Sequence, residues 1–90
     1  MPQVVDFVRN QPPEPRRALR EALRQLACEK GDIKALEGSF ENYYRLRVRG
    51  YRIIYAYKTS SHERNIVCLF AEKRNIVYEV FADLLKQMKS

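Results

Sequence analysis

Four arginines, Arg45, Arg47, Arg49 and Arg52, fall within eight residues of the segment ENYYRLRVRGYRIIY. A guanidinium is planar, permanently charged and shaped to hold two oxygens of a carboxylate or phosphate at once. Several of them on one strand pair repel each other when the surface is empty. A bound anion turns that repulsion into charge-assisted hydrogen bonds. Further along, AEKRNIVYEVF delivers Arg74 and then Tyr78 where an apolar run stops. Strand ends and the loops after them are favoured places for chemistry held on a rigid scaffold. Guanidinium groups gathered in this way suit phosphate above other anions.

Other chemistries find little material. The single histidine, His62, lies in the polar stretch KTSSHERN and reads as a loop residue. Cys28 and Cys68 lack metal-site or disulfide-framework spacing and read as small buried hydrophobes. One histidine and no CxxC leave too few ligands for a metal site, and no cofactor is implied. The 90 residues carry a formal net charge of +6, a balance that points to nucleic acid, an anionic surface or an acidic partner. No apolar run reaches the ~18 residues of a membrane span, and the opening MPQVVDFVRN lacks the apolar centre of a signal peptide. A cytoplasmic protein is expected, with residues 1–90 forming a single domain.

The elements that must position these residues can be read from spacing. Residues 3–10 form a short apolar segment after Pro2, read as a helix that the QPP of 11–13 ends, although its valines also fit a strand. Residues 13–29 are the clearest helix, with Leu19, Ala22, Leu23, Leu26 and Ala27 on one face and Arg16, Arg17, Arg20 and Arg24 mainly outside it. The two helices are expected to pair as a hairpin. GDIKALEGSFEN reads as a connection. Strands are then expected at 43–49, 51–58 and 65–72, and a helix at 76–89 with Val77, Phe81, Leu84, Leu85 and Met88 on its stripe. The fold class is α+β: an N-terminal helical hairpin on a small antiparallel sheet of three to four strands, closed by a C-terminal helix.

Alternation assigns the faces. With Arg49-Gly50 as a two-residue turn, Val48 pairs with Tyr51 and Arg47 with Arg52. Tyr44, Leu46, Val48, Tyr51, Ile53 and Tyr55 then share an apolar face, and Tyr43, Arg45, Arg47, Arg52, Ile54 and Ala56 the other. Arginine is a poor occupant of the positive-φ position that such a turn needs. The last strand, NIVCLFAEKR, is apolar on both sides, Ile66, Cys68 and Phe70 against Val67, Leu69 and Ala71, which predicts a central place in the sheet.

Three stretches together, QPPEPRRALREAL, GDIKALEGSFENYYRLRVRGYRIIY and AEKRNIVYEVF, resemble the RelE/ParE superfamily of type II toxin–antitoxin toxins over about residues 7–81. The strand pair YYRLRVRGYRIIY and the closing R-x-x-V-Y carry the resemblance most specifically. It implies a small antiparallel sheet with a helical hairpin on one side. For the RelE branch it also implies a ribosome-dependent endoribonuclease that cuts messenger RNA in the A site by attack of the 2′-hydroxyl on the adjacent phosphate. The family's two middle-strand lysine positions fall on Arg45 and Arg47, the arginine of the next strand on Arg52, and the later arginine and tyrosine on Arg74 and Tyr78.

The resemblance thus assigns Arg52, Arg74 and Tyr78 to catalysis, with Tyr78 as general base, and Arg45 and Arg47 to RNA phosphate. Arginine in place of lysine at the first two positions rules out acid–base service there, and the sequence offers no convincing general acid. Many relatives open with a strand that joins the sheet. This chain begins too late for one, so a three-stranded sheet with an uncovered edge is one expected outcome. Implied partners are a cognate antitoxin, messenger RNA and the ribosome. The alternative within the superfamily is a ParE-like DNA gyrase inhibitor without chemistry. A third is an inactive RNA-binding module.

Overall fold

The computed structural model describes residues 2–89. The chain runs α1 (Pro2–Arg9), α2 (Pro13–Leu26), β1 (Asp32–Ala35), a short 3-10 turn (Gly38–Phe40), β2 (Tyr44–Val48), β3 (Tyr51–Ser60), β4 (Glu63–Lys73) and α3 (Val77–Lys89). The strands form one antiparallel sheet in the order β1-β2-β3-β4. This is the expected α+β class, with a helical pair, a sheet and a C-terminal helix in that order.

Alternation along β2 and β3 decides which residues go inside. Leu46, Val48, Ile53 and Tyr55 are buried on one face beneath Val4 and Val8 of α1 and Leu19 and Leu26 of α2. Each such aliphatic burial stabilises by roughly 1.5–3 kcal/mol. On the opposite face Ile54 and Phe70 pack against Val77, Phe81 and Leu85 of α3. The register is the one the turn requires, with Val48 opposite Tyr51 and Arg47 opposite Arg52. Arg49 takes the left-handed backbone there, φ 55°, and its guanidinium reaches Glu14 at 3.1 Å.

Several expectations are corrected. The connection before β2 contains a strand: β1 pairs with β2, Asp32 opposite Arg47 and Lys34 opposite Arg45, so the sheet has four strands and β1 forms the edge beside β2. Only Ile33 is even half-buried in β1, so hydrophobic alternation had almost nothing to show. The strand predicted to be central, β4, is the other edge. It is apolar on both sides because α1 and α3 cover its two faces. Its outer edge is partly satisfied by a side chain: Gln3 donates through Nε2 to the Ala71 carbonyl and accepts from the Ala71 N–H, both at 2.8 Å.

A register shift between Ile54 and Tyr55 leaves Leu69 as an extra residue, since Ile54 faces Phe70 and Tyr55 faces Cys68. Simple alternation on β4 therefore fails at a β-bulge. Leu69 and Phe70 both pack toward α3, while Ile66, Cys68 and Ala71 turn toward the helical pair. The predicted long loop before β4 shrinks to Ser61 and His62, with φ 46° and 79°. Helix α2 stops three residues early: Glu29 adopts φ 55°, and the N–H groups of Lys30 and Glu29 bond back to the Gln25 and Leu26 carbonyls. Cys28 in that turn is exposed rather than buried. Met88 is also exposed, beyond the last buried residue of α3, Leu85.

Candidate phosphate-binding cleft

The arginine-bearing face is a ladder of charge. One cross-strand row reads Asp32, Arg47, Arg52 and Glu72, contributed in turn by β1, β2, β3 and β4. The two like charges that face each other at its centre are thus flanked by an acid on either side. Asp32 Oδ1 lies 3.0 Å from Arg45 Nη1 and Asp32 Oδ2 3.8 Å from Arg47 Nε. Arg45 Nη1 also donates to the Asp32 backbone carbonyl at 2.9 Å, and its side chain is only 15% exposed. The hydrogen bond from Arg45, with the charges of Arg45, Arg47 and Arg52 behind it, holds the Asp32 carboxyl below the usual carboxylate range.

Arg52 is fixed by the hairpin turn. Its Nη1 donates to the Arg49 carbonyl at 3.0 Å and the Tyr51 carbonyl at 2.8 Å. Partial burial lowers its pKa. The charges of Arg47, Arg45 and Arg74 act in the same direction, and Tyr78 acts against them. The group remains a cation at any ordinary pH. Arg74 is brought to the same place by a backbone bond from its N–H to the Gly50 carbonyl, 2.8 Å, which ties the end of β4 to the β2–β3 turn. Three residues later α3 begins, and Tyr78 occupies its first turn, half-buried, with its ring 6.0 Å from that of Phe40. Phe40 in turn packs on Phe81, so the 3-10 turn braces the tyrosine from behind.

These elements enclose a cleft of about 660 Å³. Arg45, Arg52, Arg74 and Tyr78 all line it. Four of the five site residues predicted from sequence are therefore brought together. Arg47 is not among the lining residues. It stands beside Arg52 on the same face and leans to Asp32, with its side chain half exposed. Three guanidiniums, those of Arg45 and Arg52 held by hydrogen bonds, and a phenol around one opening can hold a phosphate diester and stabilise added charge on it.

The cleft also holds residues that sequence reasoning missed: Lys34, Glu37 and Asn75. Lys34 and Asp32 belong to β1, whose alternation of polar residues about Ile33 was the one available sign. Glu37 precedes the 3-10 turn in extended backbone and forms no ion pair among the described residues, although three arginines and a lysine share its cleft. Among the described residues no group of three or more His, Cys, Asp or Glu side chains could hold a metal ion, and no helix is long and apolar enough to cross a membrane. No family model, no curated protein and no solved structure matches the chain.

Proposed function

We propose that this chain is a RelE-like toxin of a type II toxin–antitoxin pair, a cytoplasmic, metal-independent endoribonuclease acting on messenger RNA at the ribosome. The observation that carries this reading is the convergence of Arg45, Arg52, Arg74 and Tyr78 on one cleft, from two strands, the turn after β4 and a helix. An RNA phosphate set among the three guanidiniums would gain most as attack by the 2′-oxygen adds negative charge, which is where catalysis needs the interaction. Arg47, outside the cleft on the same face, suits a neighbouring phosphate of the same strand. The products would be a 2′,3′-cyclic phosphate and a free 5′-hydroxyl.

The ribosome's contribution in this reading is alignment. Holding the 2′-oxygen, phosphorus and leaving oxygen in line is worth more than any single side chain can supply. Purified protein is therefore expected to cut free RNA poorly and ribosome-bound messenger far faster. An antitoxin that silences such a site would present acidic residues to Arg45, Arg47 and Arg52. The test is to map messenger 5′ ends after brief expression of the wild type and of Arg74→Ala. New 5′-hydroxyl ends within codons, lost in the variant, are expected. A DNA-damage response without new RNA ends would overturn the reading in favour of a gyrase inhibitor.

A further inference from the structure

We infer that Glu37 is the general base of this site, and that Tyr78 is the acid that protonates the leaving group. The inference rests on the endoribonuclease reading above. Tyr78 as base would need the phenolate, the scarce form of a phenol at neutral pH, and would leave no donor for the departing 5′-oxygen. Glu37 removes both difficulties. A carboxylate is already ionised at neutral pH, and this one lines the cleft, exposed and without an ion-pair partner among the described residues. The charged and titratable groups that share the cleft with it are Lys34 from β1, Arg45 from β2, Arg52 from β3, Arg74 from the turn after β4, and Tyr78 from α3. Four cations against one carboxylate leave the opening attractive to a diester even with Glu37 charged.

The step balances as follows. The Glu37 carboxylate takes the proton of the 2′-hydroxyl while the 2′-oxygen forms its bond to phosphorus. The phosphorus–5′-oxygen bond breaks, and the Tyr78 hydroxyl delivers its proton to the departing oxygen. The phenolate left behind lies within electrostatic reach of Arg52, which stabilises it. No oxidant, metal or co-reactant is needed. Glu37, just before the 3-10 turn, and Tyr78, in the first turn of α3, both line the cleft, so a base and an acid can serve the same phosphate.

The experiment uses the full chain, ribosomes and two messenger substrates, one ordinary and one with sulfur replacing the 5′-oxygen at the cut site. Thiolate leaves without protonation, so that substrate bypasses the acid alone. Glu37→Gln is expected to lower kcat by about 10²–10⁴-fold on both substrates, with KM little changed. Tyr78→Phe is expected to lose as much on the ordinary substrate and to recover on the sulfur substrate. Glu37→Gln should fold normally, because the side chain is exposed and makes no capping bond. Full activity of Glu37→Gln, or recovery of it rather than Tyr78→Phe by sulfur, overturns the assignment while leaving the nuclease reading intact. Absence of cutting by the wild type removes both.

Discussion

The carboxylate of Asp32 stands 3.0 Å from the guanidinium of Arg45 and reaches toward Arg47 from its other oxygen. The arginine face is therefore not an empty socket. It holds an internal anion against Arg45 and Arg47. Neutralising that anion with Asp32→Asn is expected to tighten binding of short RNA several-fold at low salt, with a steeper loss as salt rises. Arg45 keeps its orientation in the variant, since the Asp32 backbone carbonyl still accepts from it at 2.9 Å. Filter binding across a salt series checks both parts, and weaker binding at every salt would mean that the carboxylate orients the arginines instead.

The same carboxyl carries a pH dependence. Arg45 and its neighbours depress the folded-state pKa of Asp32, so the native state binds its proton less readily than the unfolded chain. Its contribution to stability is then complete above the ordinary aspartate value near ~3.9 and is lost as pH falls through the lower folded value. Urea midpoints for the wild type should fall over that acid window more steeply than those for Asp32→Asn.

Gln3 substitutes for a fifth strand at one point of β4. Its amide satisfies both the N–H and the C=O of Ala71, a residue with no exposed surface. Replacing it with Ala leaves two backbone groups without partners, each costing about 1–3 kcal/mol unless water enters. Gln3→Ala is expected to lower stability by roughly 2 kcal/mol in chemical denaturation. Amide exchange at Ala71 should rise well beyond the rise elsewhere in β4.

Tyr55 is buried completely, stacked on Tyr44, and its hydroxyl has no hydrogen-bond partner among the described residues. Burial, and after it the neighbouring Tyr57 hydroxyl, which is too poorly placed for a full hydrogen bond, push its phenol well above the usual tyrosine value. Tyr55→Phe removes an unsatisfied polar atom while keeping the ring, and is expected to raise stability by about 1 kcal/mol. A raised folded-state pKa contributes stability below the unfolded value near ~10 and loses it as pH climbs higher. Thermal melts above that pH should accordingly separate the two proteins further, with the wild type falling faster.

Gly31 leads into β1 with φ +125°, and a Cβ there would lie 2.9 Å from Leu46 Cδ1. Gly31→Ala is expected to destabilise by about 1–3 kcal/mol, chiefly through the backbone conformation, because Leu46 can give way at its tip. Since β1 carries Asp32 and Lys34, RNA cleavage should fall more than the loss of folded protein explains. A folded-fraction-corrected activity equal to wild type would show that β1 matters only for stability.

Much of this architecture is written locally. Period-two alternation separates Leu46, Val48, Ile53 and Tyr55 from Arg45, Arg47 and Arg52, because a one-residue slip would carry the whole apolar set to water. The turn at Arg49-Gly50 follows from the same pattern even though arginine holds the unfavourable backbone position. β4 shows where local reading ends. Its two apolar sides signalled burial on both faces, but edge or centre depends on which elements cover it, and α1, which covers one face, is distant in sequence. The bulge at Leu69 likewise arises from pairing with Ile54 and Tyr55 rather than from anything in NIVCLFAEKR itself.

From its residue order alone, the chain determined its α+β class, the two faces of its central hairpin, and the direct opposition of Arg47 and Arg52. Only the tertiary structure decided the company those arginines keep. The bond from Arg74 N–H to the Gly50 carbonyl and the packing of Phe40 on Tyr78 bring the late residues to the early ones, and β1 adds Asp32 and Lys34 beside them. The physical reason is range. Side-chain direction along a strand is set by neighbours one and two residues away, whereas a cleft is made by long-range pairings that no short stretch of sequence contains.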